Sequence, residues 1–277
     1  MLKKVLKWTG ILLLVIIVLL AATPFLFKNK IKSMVAKAIN EQVDATVAFD
    51  DVHLSLFKSF PKASVTVDKL SIVNKAPFAG DTLVYMGEVD LKMSVMELFK
   101  GENEGMNVES LATKNGVVNI LFNKDGLGNF DIALKDKEET PGKGGESKPF
   151  AMNVQNYSIE NLRFKYYDER SKIKMVIDSI NHTGKGNFAQ QKLDLDTHTT
   201  AKLTLDMDKA NYMRNVALKL DAVLNLDLDK SIYTFKDNKA LVNQLPLEFN
   251  GSLALLENGQ QYDLTFKTPT SSFKNFL

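Results

Sequence analysis

The chain has 277 residues, 45% of them apolar and 25% charged, a balance ordinary for a folding protein and sufficient for one large β domain or two smaller ones. A net charge of +2, with no dense Lys/Arg stripe, argues against a nucleic-acid surface or any strongly electrostatic partner. Cysteine is absent, which excludes a disulfide framework, a thiolate metal site and a cysteine nucleophile while leaving oxidising and reducing compartments equally open.

The first predicted element is a membrane anchor over 1–28. "WTGILLLVIIVLLAATPFLF", Trp8 to Phe27, carries no charge over 20 residues. As a helix it is about 30 Å long, the thickness of a bilayer's hydrocarbon. Its anchoring side chains are Trp8, Leu12, Leu13, Leu14, Ile16, Ile17, Leu19, Leu20, Phe25 and Phe27. A cleaved secretory signal competes, because "LLAATP" supplies small residues. The apolar run exceeds the usual signal core of about 7–15 residues, however, and Pro24 sits badly after the cut. Lys3, Lys4 and Lys7 precede the segment and Lys28, Lys30 and Lys32 follow it, so flanking charge does not choose an orientation.

Over 29–44, Ile31, Met34, Val35, Ala38, Ile39 and Val43 recur at helical spacing, which predicts a short amphipathic helix. It could lie on a bilayer surface or cap the end of a β structure.

From Ala45 the period changes to two, and a first β module is predicted over 45–134. "ASVTVDKLSIVN" alternates through Val65 and Val67, slips at Asp68–Lys69 and resumes at Leu70 and Ile72, the mark of a bulge. Leu83, Tyr85, Val89, Leu91, Met93 and Val95 then share one parity, and "VMELFKG" reads as a brief helix ended by Gly101. In "NGVVNILFNKDGLGNF", Val118, Ile120 and Phe122 share a face and "KDG" supplies a hairpin turn. Long antiparallel strands joined by tight turns are expected.

Composition then collapses into charge, Gly and Pro over 135–149, a flexible linker or large loop. Its "GKGGES" lacks phosphate-loop spacing. A second β module is predicted over 150–277. Leu162, Phe164 and Tyr166 give one strand and Ile173, Met175 and Ile177 another, and Leu193, Leu195, Leu203, Leu205 and Met207 follow on shared parity. "VALKLDAVLNLDLD" then places an apolar residue at every even position from Val216 to Leu228, about twice the length of an ordinary strand. Leu247, Phe249, Leu253, Leu255, Leu264 and Phe266 continue the pattern. A Gly-Asn-Phe at Gly128–Phe130 and another at Gly186–Phe188 leave two readings open, a loose repeat or chance similarity between two β modules. The final "TPTSSFKNFL" reads like a helix beginning, which suggests the front part of a longer protein.

Catalysis finds little support. His53, His182 and His198 lack a metal or triad partner at recognisable spacing, and neither H-E-x-x-H nor G-x-S-x-G occurs. The pairs Asp194/Asp196, Asp206/Asp208 and Asp227/Asp229 could hold a divalent cation, yet each occupies the polar parity of a leucine-faced strand, as a water-facing side requires. No enzyme activity, metal or cofactor is therefore expected. The open question is what covers the leucines. Helical sequence is scarce, so either two sheets close as a sandwich or one curls into a trough for apolar ligand.

"FDDVHLSLFKSFPKASVTVDKLSIVNKAPFAGDTLVYMGEVDLKMSVMELFKG" (Phe49–Gly101), with its "SFP", "PFAGDTL" and "MELFKG", resembles the N-terminal region of AsmA-family proteins of Gram-negative envelopes. "NILFNKDGLGNFDI", "GKGNF" and "LDLDTHT" are similar to the strands and turns that follow there. The resemblance implies an inner-membrane anchor with the body in the periplasm, and long strands curled into an apolar groove akin to chorein-type bridge-like lipid transfer proteins. It implies phospholipid as cargo, outer-membrane biogenesis as the setting, and envelope or outer-membrane proteins as further partners. The fold expected is thus a long, curled antiparallel sheet forming an apolar trough, with an N-terminal transmembrane helix and a few short helices. Val65, Val67, Leu203, Leu205, Leu218, Leu220, Leu224 and Leu226 are its candidate lining. The rival reading is a non-transporting scaffold that regulates outer-membrane protein assembly through a sheet edge.

Overall fold

A strand with alternating side chains makes two demands: its edges need backbone partners and its apolar face needs cover. The computed structural model, which describes residues 32–33, 43–56, 59–100, 106–132, 150–188, 190–256 and 259–269, meets the first demand with one sheet. Its strands are β1 (Ala45–Ala48), β2 (Asp51–Ser55), β3 (Lys62–Asn74), β4 (Thr82–Ser94), β5 (Met106–Phe122) and β6 (Phe150–Asp168). Then come β7 (Ile173–Lys185), β8 (Lys192–Met207), β9 (Ala210–Asp227), β10 (Ile232–Val242), β11 (Leu245–Leu256) and β12 (Gly259–Lys267). The order is β1-β3-β4 and onward to β12 in sequence, with β2 also paired to β3. No second sheet exists among the described residues, so the two facing sheets of a sandwich are not found.

The fold is mainly β and mostly antiparallel. Helical structure among the described residues is confined to Lys32–Ser33 and a 3-10 turn, Val95–Phe99, capped by the Ser94 hydroxyl, which accepts from the Met96 N–H. No helix among the described residues is long and apolar enough to cross a membrane. The anchor residues from Trp8 to Phe27, most of the 29–44 segment, the 135–149 linker and the last residues of the chain lie outside the described residues.

One pairing departs from the antiparallel expectation. β5 and β6 run parallel, from Met106 beside Phe150 to Phe122 beside Asp168. The "KDG" turn does reverse the chain, with an antiparallel bridge between Phe122 and Gly128, but the returning segment is not the strand that pairs with β5. Asn123 Oδ1 accepts the Asp125 and Leu127 N–H groups, and Gly126 takes the positive φ of 80° that the turn needs. Beyond it Asn129 is buried, and its Oδ1 accepts the Leu121 N–H at 2.9 Å while its Nδ2 donates to Asn119 O at 2.9 Å. The chain end of β5 is thus latched, and a parallel partner requires the long connection that follows. Asn187 of the second Gly-Asn-Phe is exposed where Asn129 is buried.

Long strands bring a second problem. A twisting strand of 13 to 19 residues, such as β3 or β6, must keep its apolar side chains on one side throughout. In the interiors of five strands a single residue adopts positive φ, between 51° and 55°: Lys69 in β3, Asn115 in β5, Asn161 in β6, Ser179 in β7 and Asn215 in β9. At each of them the alternation restarts one position later. In β3 the apolar set passes from Val65 and Val67 to Leu70, all of which pack in one cluster. In β4 the shift falls at Gly87, whose α-carbon sits so close to Asn115 that an added Cβ would lie 3.2 Å from the Asn115 Cβ. Met86 therefore shares a face with Val89, and Tyr85 points the other way, contrary to its expected parity.

Those in β3 to β7 adjoin one another and form a seam, and Asn215 in β9 continues it beyond β8, whose alternation runs from Leu193 to Met207 with no positive-φ residue. Asn161 Nδ2 donates to Asn115 Oδ1 at 2.8 Å, and the Asn161 N–H donates to Asn181 Oδ1 at 3.1 Å. Asn181 Nδ2 donates to Ser179 O at 3.1 Å, and the Asn215 N–H donates to Thr204 Oγ1 at 3.1 Å. Register shifts accompany the seam in the β6–β7, β7–β8 and β8–β9 pairs. Bulges of this kind bend the strand and strengthen its twist.

Asn tolerates the left-handed region because its short polar side chain bonds locally, whereas a β-branched residue does not. Asn215→Val should therefore lower unfolding free energy by roughly 1–2 kcal/mol, while Asn215→Gly should change it by a few tenths, as read by urea denaturation. Equal losses for both substitutions would contradict the seam's conformational origin.

Candidate functional site

Register assigns every strand two faces. One is polar, laced with pairs between neighbouring strands: Lys62 with Glu109 at 2.7 Å, Lys114 with Glu88 at 3.5 Å, Arg163 with Asp178, and His198 with Asp221. The other carries most of the apolar side chains of every strand, and is the candidate site.

The apolar face divides along the seam. On one side it is closed. Val52, Leu54, Leu56, Ala63, Val65, Val67, Met93, Val108 and Val154 form one cluster of buried residues, and Leu193, Leu195 and Leu226 form another. Tyr157 and Phe188 pack against both. On the other side Met86, Val118, Ile120, Phe164, Tyr166, Met175, Ile177, Leu203 and Leu205 are all only half-buried. Beyond β9 the face opens further, with Phe235, Phe249 and Phe266 in a row at centroid spacings of 5.8 and 5.9 Å and Phe266 itself 58% exposed on the last strand.

The predicted lining residues fall in both zones. Val65 and Val67, 1% and 3% exposed, and Leu226 lie within the closed clusters. Leu203 and Leu205 are half-buried beyond the seam, whereas Leu218, Leu220 and Leu224, on the same face and also half-buried, stand on Leu226's side of it, with Leu224 packed against the second cluster. The cross-strand pairs Leu220 with Thr199 and Leu224 with Leu195 fix that shared side.

No group of three or more metal-ligating side chains occurs among the described residues. The aspartate pairs have other partners: Asn225 Nδ2 donates to Asp194 at 3.0 Å, Asn211 Nδ2 to Asp206 at 2.6 Å, and Lys172 and Lys192 pair with Asp208 and Asp227, each at 3.1 Å.

One polar feature interrupts the apolar face, and periodicity did not single it out. Tyr157 of β6, His182 of β7 and Thr199 of β8 form a row in which Tyr157 Oη and His182 Nε2 lie 2.7 Å apart and His182 Nδ1 and Thr199 Oγ1 lie 2.7 Å apart. The row is half-buried, and desolvation acts on both of its ionisable members. It pushes the His182 imidazole below its ordinary value and the Tyr157 phenol above its own. The sequence signal was available: after the shift at Ser179, His182 takes the parity of Ile180 and so the face of Ile177.

Among known proteins, no family model, no curated protein and no solved structure matches the chain.

His182 supplies a pH test. Its folded imidazole is less basic than the unfolded one, so the unfolded chain binds more protons as pH falls. The associated stability is fully present above the unfolded value of 6.5 and is lost as pH drops through the folded value. The melting temperature should therefore decline between about pH 7 and pH 5, and less steeply in His182→Leu. Parallel curves for the two proteins would contradict a neutral, desolvated His182.

Proposed function

We propose that the chain is a membrane-anchored envelope protein whose sheet curls into a trough and carries phospholipid, the acyl chains lying along the apolar face. The observation that carries this reading is the half-buried stretch of that face. It spans β4 to β9, and neither a second sheet nor a helix longer than five residues is present among the described residues to cover it. Exposed apolar surface costs about 25 cal/mol per Å², so a face of this kind calls for an apolar occupant. An acyl chain fits that requirement because it loses its own contact with water in the same step.

Length and curvature support the same reading. The 18 residues of β9 extend over roughly 60 Å at about 3.3 Å each, far more than one lipid leaflet. The seam of bulges supplies a line along which a sheet bends. Movement along such a face needs no covalent chemistry, since a chain sliding from one set of leucines to the next exchanges like for like. The headgroup stays in water, where its charge is solvated. The resemblance of residues 49–101 to AsmA-type proteins supplies the setting: an anchor in the inner membrane, the sheet in the periplasm, and delivery toward the outer membrane.

A second reading, an envelope scaffold, draws on β12. Among the described residues that strand pairs with β11 alone, and its Tyr262 is 71% exposed. An open edge of this kind can take a strand from another protein.

The test is lipid content. The full chain should co-purify with phospholipid, identified by mass spectrometry of an organic extract. A Leu203→Asp/Leu205→Asp double variant that keeps its β-sheet circular dichroism should lose most of that lipid. Unchanged lipid in the folded variant, or lipid-free wild-type protein with crosslinks to an envelope protein, would overturn the conduit.

A further inference from the structure

The polar row on the apolar face has one hydrogen too many for its own bonds. Tyr157 and Thr199 each contribute one O–H, and a neutral imidazole contributes one N–H. Among the described residues two contacts use them, Tyr157 to His182 and His182 to Thr199. If His182 carries its proton on Nδ1, it donates to Thr199 and the threonine hydroxyl hydrogen is left over. If the proton is on Nε2, it donates to Tyr157 and the phenol hydrogen is left over. Either tautomer leaves one hydroxyl donor at one end of the row.

The row is held in place by a glycine. A Cβ on Gly184 would lie 2.2 Å from Tyr157 Cε1 and 2.6 Å from its hydroxyl, so the ring lies flat over the β7 backbone where any other residue would stand. That position is what brings the phenol to His182. Phe188 closes the far side of the ring edge-on, at 5.8 Å between centroids.

The surroundings select the acceptor. Across the neighbouring strands the row faces Leu111 opposite Tyr157, Ile159 opposite His182 and Leu220 opposite Thr199. None of these carries charge. A phosphate would bring a full charge to a place with no cation beside it, whereas a neutral carbonyl asks for one hydrogen bond and little else. The row also stands between the closed clusters and the half-buried stretch. From Thr199 to Met207 the apolar side of β8 continues for eight residues, about 26 Å, against about 15 Å of hydrocarbon in one leaflet.

We propose that the spare hydroxyl of the Tyr157–His182–Thr199 row donates to the ester carbonyl of an acyl lipid whose chain lies over Ile177, Leu203 and Leu205. This rests on the reading of the apolar face as a lipid surface. The row sets where the glycerol region pauses, and so gives a uniform groove one fixed registration point.

The full chain, purified in mild detergent, is titrated with a diacyl phosphatidylglycerol and with the dialkyl ether analogue of the same headgroup and chain length, binding being read by native mass spectrometry. The ether lipid has no carbonyl. The ester lipid should bind the wild-type protein roughly 2- to 10-fold more tightly, the worth of one hydrogen bond. The variant Tyr157→Phe/His182→Leu/Thr199→Val should bind both with a ratio near one. Equal binding of the two lipids by wild type, or an ester preference that survives in the triple variant, overturns the inference and leaves the lipid surface standing. Binding of neither lipid overturns the lipid surface and the inference together. The wild-type ratio alone decides the matter if the triple variant does not fold.

Discussion

A single sheet with one oily side depends on keeping that side continuous. Side chains alternate with a period of two, so one inserted residue would send the rest of a strand's leucines into water. Here the strands slip on purpose, and they slip together. Lys69, Asn115, Asn161, Ser179 and Asn215 each take left-handed backbone at neighbouring places in the sheet, with Gly87 opposite Asn115 where no side chain would fit well. Because β3 to β7 shift at neighbouring places, while β8 alternates straight through and β9 shifts at Asn215, the apolar faces remain in step on both sides of the line. Asparagine side chains bonded from strand to strand hold the line.

The seam also organises what the face can do. On one side of it buried clusters centred on Val65, Met93 and Leu193 close the surface with protein alone. On the other, residues such as Phe164, Ile177 and Leu205 are only partly buried. The opposite side of the sheet carries lysine–glutamate and arginine–aspartate pairs that are content in water. The proposed lipid surface draws on this contrast between the two sides, and the Tyr157–His182–Thr199 row places polar atoms within the apolar one.

Much of this was legible in the sequence and some was hidden for identifiable reasons. Alternation announced β3 to β9, β11 and β12, and the slip at Asp68–Lys69 was visible because leucine and isoleucine resume immediately after it; β10 (Ile232–Val242) escaped notice, since a register shift between Phe235 and Asn238 breaks its short alternation. The same slip at Asn115–Gly116 was disguised as a strand start, since an Asn-Gly pair reads as a turn, yet β5 runs through it from Met106 to Phe122. Parity also misplaced Tyr85, because the shift at Gly87 leaves no polar residue to mark it. Pairing direction is not written in periodicity at all. The parallel β5–β6 pair was signalled only by the length of chain between them, which a hairpin does not need. His182 was dismissed for want of a partner at recognisable spacing, since its partners stand on the two adjacent strands rather than nearby in sequence.

The central claim is that hydrocarbon, rather than protein, covers the half-buried stretch beyond the seam. The most direct measurement is photo-crosslinking in living cells from position 205, with Leu205 replaced by benzoyl-phenylalanine and the adducts weighed. The account predicts an added mass matching a phospholipid, retained when neighbouring proteins are depleted. Adducts to protein alone would show that this side of the sheet is an interface, and the lipid-bearing account would be wrong.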